Sequence, residues 1–518
     1  MQNKKMVWGL LLAILIAAFA LRVTNIKNIP SGIYPDEAQN GVDAQEANAN
    51  GKYKLFYESN NGREGLFINL QAFSIQTFGP TEFSLKLWSI IFGTLTVLGV
   101  FLLTNELFAS YAAGLIGAYL TAFSYWAINF SRIGFRAIMV PFLLSFAFYF
   151  LFKGLRTKKL HDFIIAGLIY GLGVHTYIAF RVSPLILVTL FISLLITRKD
   201  FFKEYWKHTA VFTVAMLITA APMLLDFFYF NPTHYASRTS EISVFNPTSN
   251  QGHLLTTVAK TFGLALQKYF IMGDLNMRHN YAPYALLNPL VSIAFLLGLI
   301  YSIKTLIHLF WLRITKGIRT EKMDLYAFLL AWFFALLIPE FLANEGNPHA
   351  LRSIGTLPVV MIISVIPFLW ILKKYNSFGN AYKLFLISTI TFAFVFIGLA
   401  DPIKYFVFFA NSPKQHQVFN ANLRNISDYL QTLPKNQAVY IITGSMERLT
   451  IKYLNPNPSN ITYLYPSEIS QVKDSDKIVL IFTSWDWEAI NAMREKMPDL
   501  KYQEHTDTFG DTFITLQK

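Results

Sequence analysis

About eleven stretches of this chain are apolar for long enough to cross a bilayer, and that pattern constrains everything else the sequence can form. Spanning the hydrocarbon takes about 17 to 25 apolar residues, and such runs start near Met6, Phe83, Ala112, Ala137, Phe163, Val182, Thr209, Tyr284, Leu325, Gly355 and Leu384. Composition agrees: 53% of the 518 residues are hydrophobic, 48 are Phe, and only 14% are charged, against roughly 25% in soluble domains. The chain reads as an α-helical polytopic membrane protein. Cysteine is absent, which excludes disulfides, thiolate metal sites and cysteine nucleophiles.

The net charge of +13 would suit a nucleic-acid partner if it were clustered on one domain. Instead the Lys and Arg fall in alternate connections: "QNKK", "KGLRTKK", "TRKDFFKEYWKH", "WLRITKGIRTEK" and "KKYNSFGNAYK". A short neutral turn near Ser110 is the exception. This is the asymmetry of cytoplasmic loops, so the basic excess is an orientation signal and implies no nucleic acid. With a cytoplasmic N-terminus, residues 25–82, 129–136, 175–181, 231–283 and 343–354 and the tail lie outside. The expected location is the plasma membrane, of a prokaryote. Lys4, Lys5 and Ala18-Phe19-Ala20 also fit a cleavable signal peptide.

Two domains are expected: a transmembrane part, 1–400, with a first outer loop at about 25–82, and a tail, 401–518. In the tail "NISDYLQTL", "AVYIITG", "KIVLIFTS", "WDWEAINAMREKM" and "DTFITLQ" alternate helix and strand patterns, predicting a small extracytoplasmic α/β domain. It carries no glycine-rich phosphate loop and no metal-ligand cluster.

Ionisable residues in hydrocarbon are costly and mark function. Here the middles of the spans are nearly free of them, and they collect at the outer ends. In "IPSGIYPDEAQNGVDAQEANANGKY" Pro35 opens a helix with Asp36 and Glu37 in its first turn. Acids there offset the helix dipole by about 0.3–1 kcal/mol each, which alone explains the pair. The alternative is a general base at the membrane face.

Arg132 and Arg136 in "NFSRIGFRAIMVP", Arg181 in "VHTYIAFRVSP", and Arg352 fit either snorkelling to the headgroups or a clamp on phosphate oxygens. His175 and His349 fit structural hydrogen bonding or substrate contact, and Tyr34 and Tyr177 fit interfacial anchoring or sugar stacking. Arg63 and Glu64 complete the polar set of the first outer loop.

Taken in order, "FALRVTNIKNIPSGIYPDEAQNGVDAQEA", "REGLFINLQAFSIQTFGPTEFSLKLWSIIFGTLTVLGVFLLTNELF", "RIGFRAIMVPFLLSFAFYFLFKGL", "GLGVHTYIAFRVSPLILV" and "NPHALRSIGTLPVV" resemble the multi-pass GT-C glycosyltransferases related to protein O-mannosyltransferases and the bacterial aminoarabinose transferase. The resemblance covers roughly residues 10–400. It implies transfer of a sugar, with inversion, from a polyprenyl-phosphate carrier to an extracytoplasmic protein, lipid or glycan acceptor. It makes Asp36 the catalytic carboxylate and Glu37 its companion, with the arginines on the donor phosphate. It also implies that the first span is retained. Where many relatives have His-Pro-Pro or Glu-Lys-Pro, this chain has Arg63-Glu64-Gly65. Where some carry an acid after Arg132, it has Arg136 and Ala137. No cofactor is required, and a divalent cation is compatible. A glycan ligase, and a transporter or flippase with an external sensing domain, are the competing readings.

Overall fold

The computed structural model describes residues 4–236, 242–456 and 459–518. Among them, nine helices are long and apolar enough to cross a membrane: Lys4–Val23, Glu82–Phe108, Arg136–Thr157, Ile178–Thr197, Phe201–Phe230, Pro289–Lys316, Lys322–Phe341, Ile354–Lys374 and Asn380–Phe409. Two shorter apolar helices, Tyr111–Phe123 and Leu160–His175, account for the other two runs read from the sequence.

Close packing rests on small residues where lipid supplies no hydrophobic drive between helices. Gly167 and Gly171, one turn apart on Leu160–Leu172, meet the backbone of Phe201–Leu225: a Cβ on Gly167 would stand 2.3 Å from the Phe212 carbonyl oxygen, and one on Gly171 2.2 Å from that of Met216. Thr219 Oγ1 bonds across to the Leu168 carbonyl at 3.0 Å. The first helix packs Val7, Leu11 and Ala18 against Val97, Phe101, Ala118 and Ala122.

Contacts divide the chain into two units. One comprises Met1–Thr24, Leu55–Phe67 and Ser89–Tyr405, the other Asn25–Lys54, Ile68–Trp88 and Phe406–Lys518. The second holds a five-stranded sheet ordered Ile461–Leu464, Ala438–Ile442, Ile478–Phe482, Thr512–Gln517, Lys501–Thr506. Its first three strands run parallel and its last two pairings are antiparallel. The central strand Ile478–Phe482 is buried throughout, as a strand covered on both faces must be. Helix Trp487–Lys496 places Ile490 and Met493 against Leu480 and Phe482. On the other face Leu423, Ile426 and Ile451 cover Val439, Ile441, Val479 and Ile481.

The same unit contains the helix Pro35–Asn50. Gly41 lies under the Tyr453 ring, 2.4 Å from where its Cβ would stand. Gln45 Nε2 donates to the Tyr453 carbonyl at 2.9 Å, and the Tyr453 hydroxyl donates to the Thr81 carbonyl at 2.8 Å. Thr450 Oγ1 donates to the Ile33 carbonyl at 3.1 Å, and Arg424 pairs with Glu82 at 3.1 Å. Residues 25–54 and 68–88 thus share one packed body with the tail.

Candidate functional site

Tyr34 precedes the helix in extended conformation (φ −81°, ψ 154°), Pro35 takes the first helical position, and Asp36 and Glu37 occupy the first turn. Gly51 ends the helix at φ 64°. Proline has no amide hydrogen to leave unsatisfied at that position and its φ is preset. The Tyr34 hydroxyl donates to Asp36 Oδ2. Asp36 is half-buried, while Glu37 is fully buried. Of the two carboxylates, the one with solvent access is also the one oriented by a neighbouring phenol.

In the first unit a small hairpin presents Glu64. Phe56–Tyr57 pairs antiparallel with Arg63–Glu64, and the connection passes through Asn60, Asn61 and Gly62 at φ 52°, 61° and 81°, a run that Asn and Gly tolerate best. Arg63 turns back on that connection, donating Nη2 to Ser59 Oγ at 2.5 Å. Glu64 receives two guanidinium groups: Arg136 Nε at 2.8 Å and Arg181 Nη2 at 3.6 Å.

Each arginine comes from a short 3-10 turn, Arg136–Ile138 and Ile178–Val182. The Arg136 guanidinium lies 5.3 Å from the Tyr177 ring centre. That of Arg181 lies 4.6 Å from Phe227 and 4.7 Å from Tyr235, and its Nη1 donates to the Tyr235 carbonyl at 2.7 Å. His175 donates Nε2 to the Thr219 carbonyl at 2.8 Å. Two positive groups and one negative leave a net single positive charge, suited to one phosphate monoanion.

Arg132 and Arg352 have other partners. Arg132 is fully buried and donates Nη1 to the carbonyls of Leu21 and Arg22, both at 2.9 Å. Those are among the carbonyls that a helix C-terminus leaves unpaired. Arg352 binds Glu345, through the carbonyl at 2.5 Å and Oε2 at 3.3 Å.

His349 belongs to a polar network that its loop spacing does not announce. Asp274 Oδ2 accepts from His279 Nδ1 at 2.9 Å and from the Ala350 amide at 2.8 Å, while Oδ1 accepts from the Asn276 amide at 2.8 Å. The His279 and His349 rings stand 4.7 Å apart. Burial, then His279, Arg352 and Lys268, hold His349 well below its ordinary pKa of 6.5. Alongside, Lys268 and Glu340 form a fully buried pair, and Glu340 Oε1 accepts the His349 amide at 2.9 Å.

Asp274 and His279 escape a reading along the chain because nothing local in "GDLNMRHN" distinguishes them from ordinary loop residues. Among the described residues, Asp274, His279 and His349 stand close enough to hold a metal, as do His416, Asp507 and Asp511. In the first group Asp274 accepts three hydrogen bonds.

The sequence profile of the family described as dolichyl-phosphate-mannose-protein mannosyltransferase matches residues 66–225, a segment containing Arg132, Arg136, His175, Tyr177 and Arg181. No curated protein matches by sequence. The fold aligns with ArnT from Cupriavidus metallidurans bound to undecaprenyl phosphate, at TM-score 0.55 and 11% identity over 99% of this chain and 98% of that one. The apo state of the same protein gives 0.55 and 12%. An Archaeoglobus fulgidus oligosaccharyltransferase tethered with an acceptor peptide containing the NVT sequon aligns at 0.51 and 14%, over 97% of this chain and 69% of that one. Both are GT-C glycosyltransferases, and at these identities the likeness is one of fold. The chain has the GT-C fold, its helical part followed by a small sheet domain.

Proposed function

We propose that this protein is an integral membrane glycosyltransferase that moves a sugar from a polyprenyl-phosphate carrier to an acceptor outside the membrane, inverting the anomeric centre. The observation that carries the reading is the fold likeness, end to end, to an enzyme bound to undecaprenyl phosphate. In the proposed step an acceptor hydroxyl oxygen bonds to the anomeric carbon, the bond from that carbon to the phosphate oxygen breaks, and the polyprenyl phosphate leaves with the electron pair. Asp36 takes the acceptor proton, aided in its orientation by Tyr34. The charge growing on the departing phosphate falls to Arg136 and Arg181, which Tyr177, Phe227 and Tyr235 hold in place. Fixed charges of this kind lower a barrier without reorganising during the reaction.

Arg132 and Arg352 keep structural work in this scheme, and Glu64 sets the spacing of the two active arginines. A ligase that transfers a preassembled glycan is the second reading, favoured by the likeness to the oligosaccharyltransferase.

The deciding experiment reconstitutes the purified protein in lipid with polyprenyl-phosphate monosaccharides and with a lipid-linked oligosaccharide, and measures release of the polyprenyl carrier and labelling of envelope acceptors. Turnover of a monosaccharide donor, abolished in Asp36→Asn with insertion intact, is the expected result. Unimpaired turnover by Asp36→Asn refutes the assignment of the base, and turnover of the oligosaccharide alone establishes the ligase.

A further inference from the structure

The tail domain carries a cluster of chemistry that sugar transfer does not use. Between strands Lys501–Thr506 and Thr512–Gln517 the chain turns through Asp507-Thr508-Phe509-Gly510-Asp511. Asp507 Oδ1 builds the turn, accepting the amides of Phe509 at 2.8 Å and Asp511 at 3.0 Å. Asp507 Oδ2 accepts Asn425 Nδ2 at 3.1 Å. The turn carries Phe509 onto the ring of His416, with centres 3.6 Å apart. His416 stands on the short helix Pro413–Val418. The atoms that His416, Asp507 and Asp511 can each offer a cation all lie within 4.8 Å of one another.

Acidic turns are common and by themselves carry no meaning. Here two independent atoms point at a ligand. His416 is 8% exposed, and its Nε2 faces the Ala410 carbonyl at 3.4 Å. A carbonyl only accepts, so Nε2 bears the hydrogen and Nδ1 presents a lone pair. That Nδ1, and Asp511 Oδ2, are both buried with no hydrogen-bond partner. Two acceptors of the cluster, His416 Nδ1 and Asp511 Oδ2, therefore stand buried without a donor, an arrangement that buried polar groups otherwise avoid. An imidazole whose second nitrogen donates to a backbone carbonyl is also the usual state of a metal ligand.

We infer that His416, Asp507 and Asp511 form a binding site for a divalent transition metal of the Zn2+ or Mn2+ type. One imidazole with two carboxylates favours these over Ca2+ and Mg2+, which prefer all-oxygen shells. Bonds of about 2.0–2.2 Å bring the three side chains slightly together around the ion. The metal would fasten the last strand pair to the helix that follows the last apolar span in sequence. Residues 416 and 507 are far apart in the chain, so the clip closes a long loop, where a cross-link restricts the unfolded state most.

The test uses the full-length protein in detergent, stripped with a chelator, with ZnCl2 or MnCl2 as the probe. Micromolar Zn2+ or Mn2+ should raise the unfolding temperature, with one metal bound per chain by elemental analysis. Ca2+ and Mg2+ at the same concentration should have no effect. His416→Gln and Asp511→Asn should fold, lose the rise and lose the bound metal, while His279→Gln keeps both. No rise, a rise with Ca2+ alone, or the same rise in the two tail variants overturns the site.

Discussion

At the scale of single residues, the pairing of Arg136 and Arg181 on Glu64 decides how their role can be tested. If either merely anchored a span end, Lys would replace it, because both keep a long stem and a charge. A guanidinium wedged between Phe227 and Tyr235 offers a planar face and a fork that an ammonium lacks. We expect Arg181→Lys to remain folded and lose about 1–3 kcal/mol of transition-state stabilisation, roughly 5- to 150-fold in turnover. Carrier release at saturating donor measures it, with thermal unfolding on the same sample. Unchanged turnover in both Arg181→Lys and Arg136→Lys would remove the phosphate role. Removing Glu64 is a poorer test, since breaking a buried pair costs about 3–5 kcal/mol of stability whatever its function. The arginines were legible as candidates because they lie at span ends opposite the basic connections, where Lys and Arg are few. Glu64 as their common partner was not, since the pairing joins side chains more than seventy residues apart in sequence.

Among the elements, the helices were the easiest to read, because a bilayer leaves no other structure for runs of that length and polarity. Tyr111–Phe123 and Leu160–His175 come out short but begin where the apolar runs do. Two strands of the sheet, Ile461–Leu464 and Lys501–Thr506, went unread, and both lie at its edges. An edge strand buries little, and in "KYQEHT" only Tyr502 and His505 are half-buried while the rest are exposed, so it carries no apolar signature. The hairpin at Asn60-Asn61-Gly62 went unread too, because its paired strands are only two residues long. The Gly167/Gly171 contact makes the sharpest prediction at this scale. Gly167→Val must displace the Phe212 carbonyl, and overpacking of that kind costs at least about 1–3 kcal/mol. Its unfolding temperature in detergent should fall well below that of Gly263→Ala, a helical glycine with nothing within 4 Å of its missing Cβ. Equal values would show that the two helices can separate freely.

For the whole molecule, orientation is the property on which the proposed outer-face reaction depends, and the basic connections predict it. The chain has no native cysteine, so one introduced at Gly379 should be shielded from an impermeant thiol reagent in intact cells, and one at Ser445 should be labelled. The reverse pattern would put the tail and the carboxylate helix in the cytoplasm and end the proposal. The limit of the sequence is clearest at this scale. Nothing in the polar, Ala-rich run after Pro35 announces that its packing partner is Tyr453, because small residues under an aromatic ring leave no periodic mark.

That partnership also gives the protein a schedule. Asp36 is synthesised early, while Tyr453, Thr450 and Arg424, which hold its helix and the flanking loop, emerge more than 380 residues later. At about 5–20 residues per second the carboxylate helix waits tens of seconds for the surface it packs against. A ribosome that stalls in the last spans therefore leaves behind a membrane protein whose helices are already inserted but whose carboxylate helix has never been seated. If Asp36 is the base proposed above, premature termination yields an inert product.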